Sequence, residues 1–131
     1  MKVLLAEDDK IQNRSLQHHL VGRGFIVRVV FDADSAWQAA QQDPPDVILL
    51  DLQMPGGTGL GFLKKRNASP QHRSIPVIVI TGVEDQLVRR MAEQQGVRII
   101  FSKPVDLTLL DVSLESVRSQ LTIRTAGKQG P

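Results

Sequence analysis

The sequence contains no cysteine. This absence excludes a disulfide framework, a thiol nucleophile and a zinc–thiolate site, and it is compatible with a reducing cytosol. Long apolar runs are also missing: none approaches the roughly 18 residues of a membrane-spanning helix, and MKVLLAEDD at the N-terminus turns acidic too soon for a signal peptide. We therefore expect a cytoplasmic protein with no membrane partner.

The charges nearly cancel, because the chain has 16 Lys and Arg and 14 Asp and Glu, which gives a net charge of +2. Domains that bind nucleic acid usually concentrate basic residues on one face, so this balance gives no support for direct nucleic-acid binding. The chain has 131 residues, 41% of them hydrophobic, which is enough for one globular domain whose core needs no disulfide or metal.

Five short apolar runs rich in β-branched residues predict five strands. Because most of these runs are continuous rather than alternating, both faces of the strands should be covered, and the amphipathic segments between them are long enough for crossover helices. We therefore predict an α/β fold, a (βα)5 doubly wound five-stranded parallel sheet. The runs begin at Val3, Phe25, Val47, Val77 and Val97.

The C-terminal segment predicts a last helix over roughly 106–121, with apolar residues at helical spacing that would cover the edge of the sheet. We place the domain at residues 1–121. The remaining residues, 122–131, are polar and contain Gly and Pro, so they form either a frayed end or the start of a linker. The sequence is equally compatible with a single-domain protein and with a piece of a longer one.

Polar residues follow the predicted strands at the edge where the carboxyl ends of parallel strands meet. Carboxylates with no cysteine nearby make an oxygen-only site that suits Mg²⁺ or Mn²⁺ better than zinc. Lys103 and Thr81 could hold the oxygens of a phosphoryl group, and Gly82 leaves room for it. Asp51 could attack phosphorus and form an acyl phosphate. The residues at this edge are Glu7, Asp8, Asp9, Asp51, Thr81, Lys103 and Pro104.

This arrangement resembles the receiver domain of bacterial two-component response regulators. The resemblance covers roughly residues 2–121 and rests on four motifs in the family's order and at family-like spacing. It implies a chemotaxis-regulator-like fold, which is a flavodoxin-like three-layer α/β/α structure with strand order 2-1-3-4-5. The motifs are the pair Glu7-Asp8, the segment DLQMPG from Asp51, Thr81 after an apolar strand, and Lys103-Pro104.

The resemblance implies roles for the acidic residues and their neighbours. Asp51 would be the residue that is phosphorylated. Mg²⁺, or Mn²⁺, would be held by Asp8, by Asp51 and by the backbone carbonyl of Gln53, while Glu7 would act through water. Asp9 would lie outside the set of metal ligands.

Two further residues would act on the phosphoryl group. Thr81 would donate a hydrogen bond to it and report its presence, and Lys103 would neutralise its charge. The Lys103–Pro104 peptide bond would be cis, as in the family.

The implied activity is a signalling switch and not the turnover of a metabolite. A sensor histidine kinase or a histidine phosphotransfer protein would donate the phosphoryl group, as in a phosphorelay, and the chain would catalyse only its own phosphorylation and dephosphorylation. The surface of the fourth helix, fifth strand and fifth helix would then change its preference for an unidentified downstream effector. Two copies of the chain could also pair through it. Basic residues near this surface, either simply solvated or in contact with an acidic partner, are Arg89, Arg90 and Arg98.

The sequence departs from the family at two places. Ile100 stands where many receivers have a Tyr or Phe that moves with the threonine, and the adjacent Phe101 should point to the other face of the sheet. Gly57-Thr58-Gly59 replaces a common Met-Asp-Gly. We expect this second change to be harmless in a surface turn, with Thr58 as the cap of the third helix.

Two other functions remain open. A metal-dependent phosphatase with an aspartyl nucleophile, like the haloacid-dehalogenase-like hydrolases, would carry that nucleophile after the first strand in an Asp-x-Asp motif. Here the carboxylates after the first strand are adjacent, and the isolated candidate follows the third strand. A receiver-like scaffold that binds partners without phosphorylation would not need the complete acidic set.

Two residues are expected to tune hydrolysis of the acyl phosphate. Gln53 and Val83 lie two residues beyond Asp51 and Thr81, at positions that in this family flank the attacking water. Because the apolar Val83 offers that water no hydrogen bond, we predict slow autodephosphorylation and faster hydrolysis in Val83→Glu. The decay of the phosphorylated mass would measure both rates, and an unchanged rate in the variant would remove the hypothesis.

Overall fold

The computed structural model describes residues 1–54, 58–82 and 86–128, with side chains as far as residue 123. Strands and helices alternate along this part of the chain. The strands are β1 (Lys2–Ala6), β2 (Ile26–Val30), β3 (Val47–Leu50), β4 (Val77–Thr81) and β5 (Ile99–Ser102). The helices are α1 (Lys10–Gly22), α2 (Ala33–Gln42), α3 (Gly59–Ala68), α4 (Gln86–Gln94) and α5 (Leu107–Lys128).

The strands are all parallel and lie in one sheet in the order β2-β1-β3-β4-β5. The predicted doubly wound α/β/α fold with strand order 2-1-3-4-5 is therefore confirmed. The register brings the carboxyl ends of the three central strands together, since Leu50 pairs with Ala6 on one side and with Val79 on the other. The residues that follow these strands consequently share one edge of the sheet.

Two hydrophobic clusters cover the two faces of the sheet. In β1, Leu4 and Ala6 belong to the cluster that also contains residues of α2, α3 and α4. Val3 and Leu5 belong to the cluster that contains residues of α1 and α5. Every residue of β3 and β4 is buried. The continuous apolar runs thus mark strands that are covered on both faces, as predicted.

Short polar motifs mark the ends of several helices. The Asp9 side chain caps α1 by accepting hydrogen bonds from two backbone N–H groups of the first turn, each at 3.0 Å. Thr58 Oγ1 accepts a hydrogen bond from the Gly61 N–H at 3.1 Å, which confirms the predicted cap of α3. Gly96 follows α4 with a φ of +94°, a conformation that residues with a side chain rarely adopt.

The last helix is longer than the sequence predicted. We expected it to end near Leu121, but α5 continues to Lys128. No glycine or proline occurs in the helix before Gly127, so no helix-breaking residue stops it near Leu121. Leu114 is fully buried, whereas Ile123 is 70% exposed. The division of the chain at residue 121 stays a prediction.

No helix in the described ranges is long and apolar enough to span a membrane.

The first residue of α3 lies against the backbone of the loop that follows β3. A Cβ atom on Gly59 would come within 2.7 Å of both the backbone oxygen of Asp51 and the Cα of Leu52. Gly59 is buried, and its N–H donates to the Leu52 carbonyl at 3.1 Å. Gly59 is therefore a buried helix residue and not part of a surface turn, because only a residue without a side chain allows this approach. It is also the residue that matches the family's Met-Asp-Gly, so the expectation that the changes at Gly57 and Thr58 are harmless stays a prediction. Gly57 lies outside the described residues.

We predict that Gly59→Ala lowers the free energy of unfolding by about 1–3 kcal/mol, because the atoms in its way are backbone atoms that cannot rotate aside. Gly61→Ala is the matched control in the same helix, since its Cβ would meet only Thr58 Oγ1, at 3.7 Å. That variant should be neutral or more stable by about 0.5–1 kcal/mol. Urea unfolding would measure both, and equal effects would contradict this account.

Candidate functional site

Asp51 lies directly after β3, at the point where the strand order reverses between β1 and β3. Its backbone N–H donates to the Ala6 carbonyl at 3.0 Å, which extends the β1–β3 ladder by one residue. Asp51 is only 3% exposed. The sheet therefore holds a carboxylate in a buried position at its topological switch point, where α/β sheets bind their ligands.

Among the described residues, three donors contact the carboxylate of Asp51. The Thr81 hydroxyl donates to Oδ1 at 3.2 Å, and the Gln53 N–H donates to the same oxygen at 3.0 Å. Lys103 Nζ donates to Oδ2 at 2.7 Å. Thr81 ends β4 and Lys103 follows β5, so the neighbouring strands together place a hydroxyl and an ammonium beside one carboxylate.

Lys103 also contacts the second buried carboxylate of the site. Its Nζ donates to Glu7 Oε1 at 2.8 Å, so one ammonium bridges Glu7 and Asp51. The backbone N–H of Lys103 donates to the Thr81 carbonyl at 3.0 Å, which ties the residue to β4. The Lys103–Pro104 peptide bond is cis, as predicted.

Glu7, Asp8 and Asp51 form an acidic cluster in which one carboxylate oxygen of each lies within 4.8 Å of the others. Glu7 and Asp51 are buried, and Asp8 is exposed. Mg²⁺ prefers oxygen ligands and usually keeps several waters, so this all-oxygen donor set fits such an ion. Asp9 is engaged as the cap of α1, and its place outside the set of metal ligands stays a prediction. The ligand role of the Gln53 carbonyl stays a prediction.

Burial dominates the electrostatics of Glu7. Loss of water disfavours its charged form and raises the pKa of Glu7 to about 7, with the neighbouring Asp51 acting in the same direction and Lys103 opposing it. For Lys103, burial alone would lower the pKa, but the hydrogen bonds and charges of Asp51 and Glu7 outweigh burial and raise it. Lys103 therefore stays protonated and supplies the positive charge between the two buried carboxylates.

Asn13 supports the acidic loop, which is formed by residues 7–9 after β1, and it was not among the residues predicted from the sequence. It is a buried residue of α1 whose Nδ2 donates to the Glu7 carbonyl at 3.0 Å and lies 3.4 Å from the Val30 carbonyl. The signal for it was present, because Asn13 stands at helical spacing with Leu16 and Leu20 on the buried face of α1. A polar residue in such a stripe needs a partner, and here the partner is the backbone of the site.

Gly82, which follows Thr81, has space around its Cα among the described residues. Gly82 is exposed, and a Cβ atom on it would meet, among the described residues, only Lys103 Cδ, at 3.9 Å. Access of a phosphoryl group past Gly82 stays a prediction. Val83 lies outside the described residues. Ile100 packs on the face of the sheet that carries α4 and Phe101 packs on the opposite face, which confirms the predicted separation of these two side chains.

The three arginines predicted near the partner surface fall into two groups. Arg89 and Arg90 line a hollow beside Ser102, and Arg89 Nη2 donates to the Ser102 hydroxyl. Arg98 precedes β5 at the other end of that strand and lines a separate groove. Their contact with an acidic partner stays a prediction.

Comparisons with known proteins agree with this geometry. A family model described as the response regulator receiver domain matches residues 3–116. Response regulator PleD of Caulobacter vibrioides is 30% identical over 116 residues, which are 88% of this chain and 26% of PleD. Protein PilH of Pseudomonas aeruginosa is 27% identical, over 88% of this chain and 96% of PilH. The structure of the chemotaxis response regulator CheY4 of Vibrio cholerae is similar with a TM-score of 0.81 at 27% identity, covering 88% of this chain and 97% of CheY4.

The chain spans about a quarter of the length of PleD but nearly the whole of PilH. Its similarity to PleD is therefore confined to one part of a longer protein.

The raised pKa of Glu7 has a consequence for stability in the absence of metal. Because this pKa lies above the usual 4.5, the folded protein binds the Glu7 proton more tightly than the unfolded chain does. The stability that protonated Glu7 adds to the folded protein is thus fully present below pH 4.5. It is lost as the pH rises through about 7. We predict a loss on the order of 2 kcal/mol in unfolding free energy from this residue between about pH 5 and 8, at about 1.4 kcal/mol per pKa unit.

Glu7→Gln should remove that loss, since an amide does not titrate. Glu93→Gln, which changes an exposed glutamate of α4, is the matched control and should keep the wild-type pH dependence. Urea unfolding at a series of pH values without divalent cations would measure all three proteins. Parallel curves for the wild type and Glu7→Gln would contradict the assignment.

Proposed function

Since the chain belongs to the response regulator receiver domain family, we propose that Asp51 is its phosphoacceptor and that a histidine kinase or a histidine phosphotransfer protein is the donor. The observation that carries this assignment is the Asp51 carboxylate, which is buried at the switch point of the sheet and contacted by Thr81 and Lys103. These two neighbours are a hydroxyl donor and a cation, the groups that bind the oxygens of a transferred phosphoryl group.

In the proposed transfer, an oxygen of the Asp51 carboxylate attacks phosphorus while the phosphorus–nitrogen bond of the donor's phosphohistidine breaks. The electron pair of that bond stays on the histidine nitrogen, which takes up a proton as it leaves. The products are an acyl phosphate on Asp51 and a neutral histidine. Hydrolysis by water later restores the carboxylate and releases inorganic phosphate, so the chain turns over no metabolite.

Two side chains would change partners during this transfer. Lys103 Nζ lies 2.7 Å from Asp51 Oδ2, so its ammonium could follow the negative charge onto a phosphoryl oxygen. The Thr81 hydroxyl, which donates to Asp51 Oδ1, would donate to another phosphoryl oxygen instead. The site would then exchange contacts to a carboxylate for contacts to a phosphoryl group with little rearrangement.

Receiver domains bind Mg²⁺ at an acidic pocket, and the cluster of this chain fits that ion. We assign Asp8, Asp51 and the Gln53 carbonyl as direct ligands, with Glu7 acting through water. When bound, the ion supplies positive charge that offsets the charge developing on the phosphoryl oxygens. Glu7 would lose its proton more readily beside that charge, because a nearby cation favours the carboxylate form.

The output of the switch would be a change in the surface of α4, β5 and α5. Thr81 would carry the signal, because it both contacts the carboxylate and ends the strand that precedes α4. With Ile100 in place of an aromatic residue, the transmission would rest on the threonine alone. Arg89 and Arg90 outnumber Glu93 in the hollow at this surface and leave it a net positive charge that suits an acidic partner.

The first test is the intact mass of the protein after incubation with acetyl phosphate, a small phosphoryl donor. We expect a gain of one phosphoryl group that requires Mg²⁺ and vanishes in Asp51→Asn. Asp8→Asn should slow the gain by about tenfold or more through weaker metal binding. Asp9→Asn is the matched control, because it changes the adjacent carboxylate, which caps α1, and should keep the Mg²⁺ dependence.

Absence of any mass gain in folded wild-type protein would overturn the proposal in favour of a scaffold that binds partners without phosphorylation. An equal gain in Asp51→Asn would place the acceptor elsewhere. Sustained release of phosphate from p-nitrophenyl phosphate would point to the phosphatase alternative.

A further inference from the structure

A groove of about 660 Å³ lies at the end of the strands opposite to Asp51. Its floor is formed where β4 and β5 begin, and its walls come from the ends of α3 and α4 and from α5. Sites for small ligands commonly have volumes of about 300–1,000 Å³. The groove is therefore large enough for a small organic ligand and is separate from the acidic site.

The described lining of this groove contains three arginines and no acidic residue. These are Arg66, Arg73 and Arg98. Arg73 and Arg98 are exposed, and neither forms an ion pair with a described residue. Asp46 lines the adjacent hollow, where its carboxylate already accepts the Lys2 backbone N–H at 2.7 Å.

Arg66 is the most informative of the three because it is buried, with 8% of the residue exposed. Its Nε and Nη2 donate to the Ile75 carbonyl at 2.9 and 2.7 Å, and its Nη1 donates to Asn67 Oδ1 at 2.7 Å. All of these acceptors are neutral. A guanidinium has five N–H groups, so two have no acceptor among the described residues.

The hydrogen bonds to the Ile75 carbonyl hold Arg66 in place, but they bring no negative charge to balance its guanidinium. A buried cation normally pairs with an anion, because burial without one is costly. The ends of α3 and α4 contribute only about half a negative charge each, which does not offset three guanidinium groups. The field in the groove is therefore positive and suits a bound anion.

We propose that this groove binds a small molecule that carries phosphate groups. Arg73 and Arg98 would hold the phosphate oxygens from the two sides, and Arg66 would supply the buried positive charge at the floor. The guanidinium fork matches the oxygens of phosphate in geometry as well as in charge, which makes phosphate the anion of choice.

The test uses inorganic pyrophosphate as the probe in Mg²⁺-free buffer, so that the acidic site does not recruit it. Calorimetric titration should show one binding site in the wild type, and pyrophosphate should raise the melting temperature. The double variant Arg73→Gln/Arg98→Gln should bind at least about tenfold more weakly, because charged hydrogen bonds are lost. Arg14→Gln/Arg28→Gln removes the same net charge elsewhere on the surface and should bind like the wild type.

Amide chemical shifts would locate the probe. Changes concentrated at Ser74 and Gly96, which line the groove, would support the proposal. Changes concentrated at Glu7 and Asp8, equal weakening in both double variants, or no binding would each overturn it. Citrate that bound as tightly as pyrophosphate would overturn the assignment to phosphate.

Discussion

The contact of Lys103 with Asp51 and Glu7 is the interaction on which the rest of the site depends. Two carboxylates that are almost closed off from water resist being charged side by side, and a cation between them reduces that cost. The ammonium at 2.7 and 2.8 Å supplies that charge. Its position depends in turn on the pairing of β5 with β4, because the Lys103 backbone is tied to the carbonyl of Thr81.

The parallel sheet makes this contact between residues that are far apart in the chain. Lys103 is 52 residues from Asp51 and 96 from Glu7, and only the order of the strands brings them to one edge. The loops at that edge need support, which Asn13 gives to the acidic loop and Gly59 gives to the loop after β3. Among the described residues, no buried side-chain nitrogen or oxygen lacks a partner.

Charge is separated along the strands. The carboxyl ends carry the acidic cluster, and the opposite ends carry a groove lined by three arginines. The net charge of +2 conceals this separation, because composition sums over the whole surface. A balanced sequence can therefore hold an acidic cluster and an arginine-lined groove at separate places on the fold.

The sequence alone determined the βα repeat, the strand order through its family resemblance, the cap at Thr58 and the residues of the acidic edge. These follow from short-range patterns: apolar runs, capping residues and motifs at strand ends. Only the tertiary structure decided the features that depend on distance and burial, namely the bridge made by Lys103, the support from Asn13, the close approach at Gly59 and the groove around Arg66. The physical reason is that charge compensation and close packing arise between elements distant in the chain, whereas residue patterns report the preferences of each element by itself.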